Sequence, residues 1–422
     1  MKRIAALSAL ALLGAALTAN APPAGATDIS LESRTYMPVR GTKGADTHAL
    51  LYEYLNFSAE DLALPGLYLR ASGWGRTDLA DETYGKKTNG DLQYAYLGWR
   101  APLLNAEARV GRISLTAGVA RHEVFDGALL GTDLPYGFDA TVFGGVPTET
   151  DVGGRSSDTL YGGRLSQGQA GLYRLGASYL KEKNDGEVSR EEVGADVFVA
   201  PVPLVSVTGS SLYNSIAKQW ARHDYRLSVG PFVQALRIAA TWSSTDYRYY
   251  FQSPVHPAFI PEDPDADEKL QKIGGELSVD VGMGFTLAGQ YTSYTYDVAG
   301  AANAFSADLG WAGSGFTAGG GYRKVHGDEA ENQYQEFRAH ASAPVGPLGV
   351  SLSGQYLKFA EAIDGEDTAL TAALDLSYPA SPALEFSASV EYGKNPEYSR
   401  EVKGLLTVLW RYDASMKNGG TK

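Results

Sequence analysis

Arg100, Arg109, Arg112 and Arg121 stand close together in the chain, with Glu107 and Glu123 among them. Arginines stacked along one wall of a pore steer anions, the first chemistry this pattern could do. Arg109 and Arg112 differ by an odd number, so on a regular strand they cannot share a face without a bulge. The run Glu262-Asp263-Pro264-Asp265-Ala266-Asp267-Glu268 places Asp at alternate positions like a calcium loop, but Glu268 stands where such a loop needs Gly. It reads as a solvated acidic loop. The histidines His48, His122, His223, His256, His326 and His340 are scattered without HExxH or paired-ligand spacing. There is no cysteine, which excludes a disulfide framework, a thiol nucleophile and attachment of c-type haem. No nucleophile elbow, phosphate loop or dinucleotide fingerprint occurs in a strand–helix setting. The sequence therefore nominates no catalytic, cofactor-binding or metal-binding residue, and an enzyme is not expected. A formal net charge of −13 argues against nucleic acid as a partner.

The elements around these residues are strands. Met1-Lys2-Arg3, the apolar run from Ile4 to Ala19 and Ala24-Gly25-Ala26 predict a signal peptide over residues 1–26. The remaining divisions are 27–48, an N-terminal segment with a predicted first strand near 29–40, a barrel over 49–412 and a tail over 413–422. Beyond residue 45 the chain repeats about ten residues of period-2 alternation followed by a turn or polar loop. Leu384, Phe386, Ala388, Val390 and Tyr392 alternate with Glu385, Ser387, Ser389 and Glu391. The alternation predicts strands at 107–118, 124–134 and 232–244 among others, with longer acidic loops at 183–189, 245–267 and 360–366. Short turns at Met283-Gly284 and Gly313-Ser314-Gly315 fit the opposite end. About 22 strands result, with 20 as the alternative, in an all-β transmembrane antiparallel up-and-down barrel. A soluble sandwich or adhesin fits the uniform hairpin succession less well.

Aromatic residues close the apolar rows and predict two lipid-interface girdles: Phe232, Trp242, Phe305, Trp311, Phe316, Tyr322, Tyr378, Tyr392, Trp410 and Tyr412. The opposite rows would line the lumen with Arg174, Asp196, Arg222, Asp224, Arg226, Arg237, Glu276, Asp280, Asp308, Arg323, Glu336, Arg338, Asp375, Glu385 and Glu391. Ionisable groups on the lipid side would each cost roughly 2–4 kcal/mol at mid-depth. Six of these are positive and nine negative, which implies at most a mild cation preference.

A closed sheet of this size has a backbone diameter of roughly 40 Å. Residues 27–48 are too few to plug it, and 245–267 could only constrict its mouth. The chain resembles outer-membrane barrels of metal-reducing bacteria. The likeness lies in Glu32-Ser33-Arg34-Thr35-Tyr36, Leu51-Tyr52-Glu53-Tyr54, Gly111-Arg112, Phe125-Asp126-Gly127, Asp133-Leu134-Pro135-Tyr136-Gly137-Phe138, Phe143-Gly144-Gly145-Val146-Pro147, Gly154-Arg155-Ser156 and Tyr161-Gly162-Gly163-Arg164. These motifs span residues 30–165 and are mostly turn and bulge glycines. The group includes the porin component of porin–cytochrome conduits. The resemblance implies a sheath for a multihaem c-type cytochrome in transmembrane electron transfer, in the bacterial outer membrane. Its partners would be outer-membrane lipid and cytochromes in the lumen and at both faces, with haem entering only through a partner. The alternative is a passive diffusion porin for small hydrophilic solutes.

Overall fold

A computed structural model describes residues 27–42, 48–62, 64–79, 87–149, 153–154, 158–232, 235–251, 268–298, 300–328, 333–396 and 400–416. The predicted signal peptide and most of the acidic run 262–268 lie outside them. The alternating segments form twenty-two barrel strands. They are β1 Thr27–Thr42, β2 His48–Glu60, β3 Leu67–Asp78, β4 Thr88–Ala101, β5 Ala106–Ala117, β6 Ala120–Leu134 and β7 Phe138–Glu149. Next come β8 Thr159–Gln169, β9 Tyr173–Asn184, β10 Glu187–Val202, β11 Val205–Asn214, β12 Gln219–Val229, β13 Arg237–Asp246 and β14 Lys269–Gly282. The last are β15 Phe285–Tyr296, β16 Ala301–Gly313, β17 Phe316–Gly327, β18 Tyr334–Val345, β19 Leu348–Ile363, β20 Glu366–Ser381, β21 Leu384–Lys394 and β22 Glu401–Met416.

Each strand pairs antiparallel with its sequence neighbours, and β1 closes the circle on β22 from Thr27↔Met416 to Thr42↔Glu401. Closure leaves no sheet edge, which is what lets strands cross a bilayer. Pro38 stays within β1 because the β1–β2 register skips from Tyr36↔Tyr52 to Val39↔Ala49 at that point. The missing N–H therefore breaks no ladder bond on that side. At its other end β22 continues past Tyr412, with Asp413, Ala414 and Ser415 opposite Ser30, Ile29 and Asp28.

Three expectations change. The segments 183–189 and 360–366 are tight hairpins, Asp185-Gly186 and Asp364-Gly365, with φ of 50° and 86° and of 50° and 82°. Aspartate followed by glycine suits the positive φ that the right-handed strand twist asks of two-residue turns. The strand expected at 232–244 starts only at Arg237, because Phe232 and Leu236 close a turn (Phe232 N to Leu236 O, 2.9 Å) around Ala235 at φ 56°. Phe232 is thus an exposed turn residue. Inside the expected 245–267 loop, Tyr247–Phe251 forms a short helix, α1.

The outer face is apolar along its length. Leu175, Val193, Ile273, Leu277, Leu309, Leu352 and Leu406 are all exposed, a surface that only lipid would cover without cost. Trp311 packs on Phe285 and Phe316 at 6.2 and 5.5 Å near the short-turn end. Higher up, Tyr322, Phe337 and Tyr356 form a second row at 5.2 and 6.4 Å. Register and alternation put Trp242, Phe305, Tyr378, Tyr392, Trp410 and Tyr412 on this same outer face.

Candidate constriction site

The β4–β5 ladder stops at Ala95↔Arg112 and the β6–β7 ladder at Phe125↔Pro147, while β5 and β6 go on pairing to Ala117↔Ala120. Residues 113–124 thus belong to no wall strand, and they fold inward over the inner face of β7 to β11. Ile113, Leu115 and Phe125 pack with Phe143, Leu160, Leu180 and Leu212 in a buried cluster inside the barrel. The tip residues Val119 and Ala120 are buried. The Val119 amide donates to Ser178 Oγ at 3.1 Å. The tip fits because Gly194 carries no side chain: a Cβ there would overlap Val119 Cγ1.

Charged groups pin the flap. Arg190 donates to Glu123 (2.8 Å), to Glu192 (2.7 Å) and to the Val119 carbonyl (2.9 Å). Arg121 pairs with Glu192 at 2.8 Å. It also reaches α1, donating to the Tyr250 carbonyl at 3.1 Å with its guanidinium 4.2 Å from the Tyr250 ring centroid. Arg222, on β12, donates to the Tyr250 hydroxyl at 3.0 Å and to Asp224 at 3.0 Å. The flap from one side and α1 from another therefore meet in the bore through arginine and tyrosine.

Two cavities lie along the flap and share Thr116, Ala117 and Thr141, the larger of them at this contact. One, of about 590 Å³, is lined by Arg100, Glu107, Arg109 and Asp139; the other, of about 670 Å³, by Arg121, Arg164, Arg174, Asp196, Arg222 and Tyr250. Arg164 pairs with Asp196 at 2.6 Å and Arg174 with Asp139 at 3.6 Å. In two pairs the arginine outreaches its partner. Arg174 is 54% exposed against 31% for Asp139, and Arg121 30% against 2% for Glu192. At Arg164–Asp196 and Arg222–Asp224 the carboxylate is the more exposed partner, and the positive balance of the larger cavity comes from four arginines against two aspartates in its lining.

Burial alone would raise the Tyr250 phenol, yet Arg121 and Arg222 outweigh it and hold it below its ordinary 10.0. Ionisation would place a negative charge among these arginines. The expected result is that the channel's selectivity shifts towards cations as pH approaches 10 from below, and that Tyr250→Phe abolishes this shift. Reversal potentials recorded between pH 7 and 10 check it.

Among the residues expected to line the lumen, Arg174, Asp196, Arg222 and Asp224 border the larger cavity. Arg226 is bidentate to Glu276 at 2.9 and 2.6 Å. Arg338 reaches Asp308 at 2.8 Å and Glu336 at 3.4 Å, and Arg323 reaches Tyr294 at 3.4 Å. Glu391 pairs with Lys403 at 3.2 Å. Register and alternation put Arg237, Asp280, Asp375 and Glu385 on the same inner face, away from the constriction. Of the arginine run, Arg100 and Arg109 converge on Glu107, Arg109 at 2.6 Å. Arg112 turns to the other face of β5, bidentate to Asp126 at 2.9 and 3.0 Å and bonded to the Leu92 carbonyl at 3.1 Å, where β5 parts from β4.

Sequence reasoning missed the inward flap, α1 and Arg164. Its signal was available: Leu160 beside Tyr161 and Leu180 beside Tyr179 put apolar groups on both faces of β8 and β9.

No protein-family model and no curated protein matches the chain. Among solved structures it is similar to the outer membrane protein OpdK of Pseudomonas aeruginosa, with 11% identity, 92% of this chain and 99% of that chain covered, and TM-score 0.44. It is also similar to OccAB2 of Acinetobacter baumannii, with 10% identity, 92% and 98% coverage and TM-score 0.47. A third is OprD of Pseudomonas aeruginosa, with 12% identity, 93% and 96% coverage and TM-score 0.42.

Proposed function

We propose that the protein is an outer-membrane diffusion channel for small hydrophilic solutes, narrowed by its own chain and favouring anions. The observation that carries this reading is the contact of Arg121 with Tyr250 inside the barrel, beside a cavity of about 670 Å³ lined by Arg164, Arg174 and Arg222. A guanidinium fork suits carboxylates, and positive surface in a low-dielectric bore concentrates anions. The sheath for a multihaem cytochrome rests on the sequence resemblance alone. A threaded haem protein needs a clear bore, and the flap and α1 stand in it.

Swelling of proteoliposomes tests the proposal. Small carboxylates are expected to enter about twofold or more faster than uncharged solutes of equal size, with Arg121→Ser/Arg174→Ser removing the difference. Equal rates for both solutes, or haem absorbance in the protein purified with its native partners, would overturn it.

A further inference from the structure

The outer wall carries a second cluster of bases that the pore does not use. In the β17–β18–β19 registers Lys324 faces Gln335, and Gln335 faces Lys358, so the three stand abreast on adjacent strands. Lys324 also faces Phe305 across to β16. Phe305 is 52% exposed on the apolar side, which fixes the row on the lipid-facing surface. Lys324, Gln335 and Lys358 are all exposed. Two strand spacings separate the lysines by roughly 10 Å.

Their depth follows from the strands. Lys324 lies eight residues above Phe316 along β17, and Lys358 lies ten above Leu348 along β19. At about 3.3 Å per residue and a tilt near 40°, both sit roughly 20–25 Å above the short-turn girdle. That is the height of the opposite interface. Immediately below them runs the aromatic row Tyr322, Phe337 and Tyr356, whose rings belong at headgroup level. The Tyr322 hydroxyl reaches Gln335 Oε1 at 3.4 Å.

Two lysines elsewhere on the same surface are neutralised within the chain, Lys181 by Glu191 at 3.0 Å and Lys394 by Glu366 at 2.7 Å. Among the described residues neither Lys324 nor Lys358 has an ion pair. Two uncompensated ammonium groups facing lipid at the headgroup level, above an aromatic platform, are complementary to phosphate. We propose that Lys324, Gln335 and Lys358 bind the phosphate-bearing headgroup of an anionic lipid in the leaflet at the long-loop end. The amide of Gln335 supplies a neutral donor between the two cations, and the acyl chains lie along Phe337 and Leu352 beneath.

This inference rests on the reading of the protein as a membrane-spanning barrel, and the experiment separates the two. The full mature barrel is folded in neutral detergent, and bound lipid is counted by native mass spectrometry with phosphatidylglycerol or zwitterionic phosphatidylcholine. Wild type is expected to retain phosphatidylglycerol about tenfold more strongly, with Lys324→Gln/Lys358→Gln losing that preference. The double variant should keep wild-type conductance and heat-modifiable mobility, showing that its barrel is intact. Equal retention of the two lipids by wild type, or an unchanged preference in the variant, overturns the site while leaving the barrel standing. Displacement by equimolar inorganic phosphate overturns the assignment to lipid. Failure of wild type to fold into detergent at all overturns the barrel, and the site with it.

Discussion

Gly194→Val is expected to raise single-channel conductance by about twofold, because the flap can no longer lie against the wall. The glycine faces the hairpin tip at closest approach, and Val119 above it is buried, short and β-branched. Such a side chain has no rotamer into which it can retreat. Overpacking of this kind costs about 1–3 kcal/mol. The element that yields should be the flap, since its residues 113–124 lack ladder bonds to either neighbouring strand, whereas β10 is paired along both edges. Bilayer recordings at fixed salt check the effect. Conductance equal to wild type, in a variant that folds and inserts, would mean that the flap does not set the width of the bore.

The second large effect is on stability. Glu192 is 2% exposed and accepts from both Arg121 and Arg190. Replacing it with Leu removes one carboxylate from between two arginines. Arg190 keeps Glu123, but Arg121 loses its only carboxylate among the described residues. Removing one partner of a buried pair leaves an uncompensated charge and costs about 3 kcal/mol. Amide exchange over residues 113–124 should then accelerate about a hundredfold, while exchange in β14–β22 stays at the wild-type rate. Glu192→Gln, which keeps an acceptor oxygen, should lie between the two. Uniform acceleration across all strands would show that the network holds the whole barrel and not the flap.

Much of the wall was legible because lipid and water impose opposite demands on alternate residues. Phe305, Leu309 and Trp311 against Ser306 and Asp308 leave one register in which each group meets its solvent. The aromatic ends of the rows likewise report the bilayer boundary. Turn geometry was less visible: Asp185-Gly186 and Asp364-Gly365 read as parts of polar loops because the charged residues around them belong to strands extending beyond the apolar band. The constriction was hidden for a different reason. Ile113, Leu115 and Phe125 have the alternation of a wall strand, and only the ends of the β4–β5 and β6–β7 ladders show that they fold inward. α1 escaped notice because five residues are too few for helical periodicity, although Tyr247, Tyr249, Tyr250 and Phe251 are unusually aromatic for an acidic loop.

The charge count of the whole bore and the lining of its constriction are different quantities. Counting six bases against nine acids treats every group as equally presented to water. In the folded chain Glu336 is buried beside Arg338, and the larger cavity at the constriction is lined by Arg121, Arg164, Arg174 and Arg222 against Asp196 and Asp224. The groups lining that cavity are therefore net positive although the longer list is net negative.

The reversal potential of the purified channel in a tenfold potassium chloride gradient tests this account most directly. An arginine-lined constriction in a water-filled bore predicts a potential on the chloride side of zero, weakened by Arg121→Ser/Arg174→Ser. A potential on the potassium side, or a folded and inserted barrel that passes no ionic current, would contradict it.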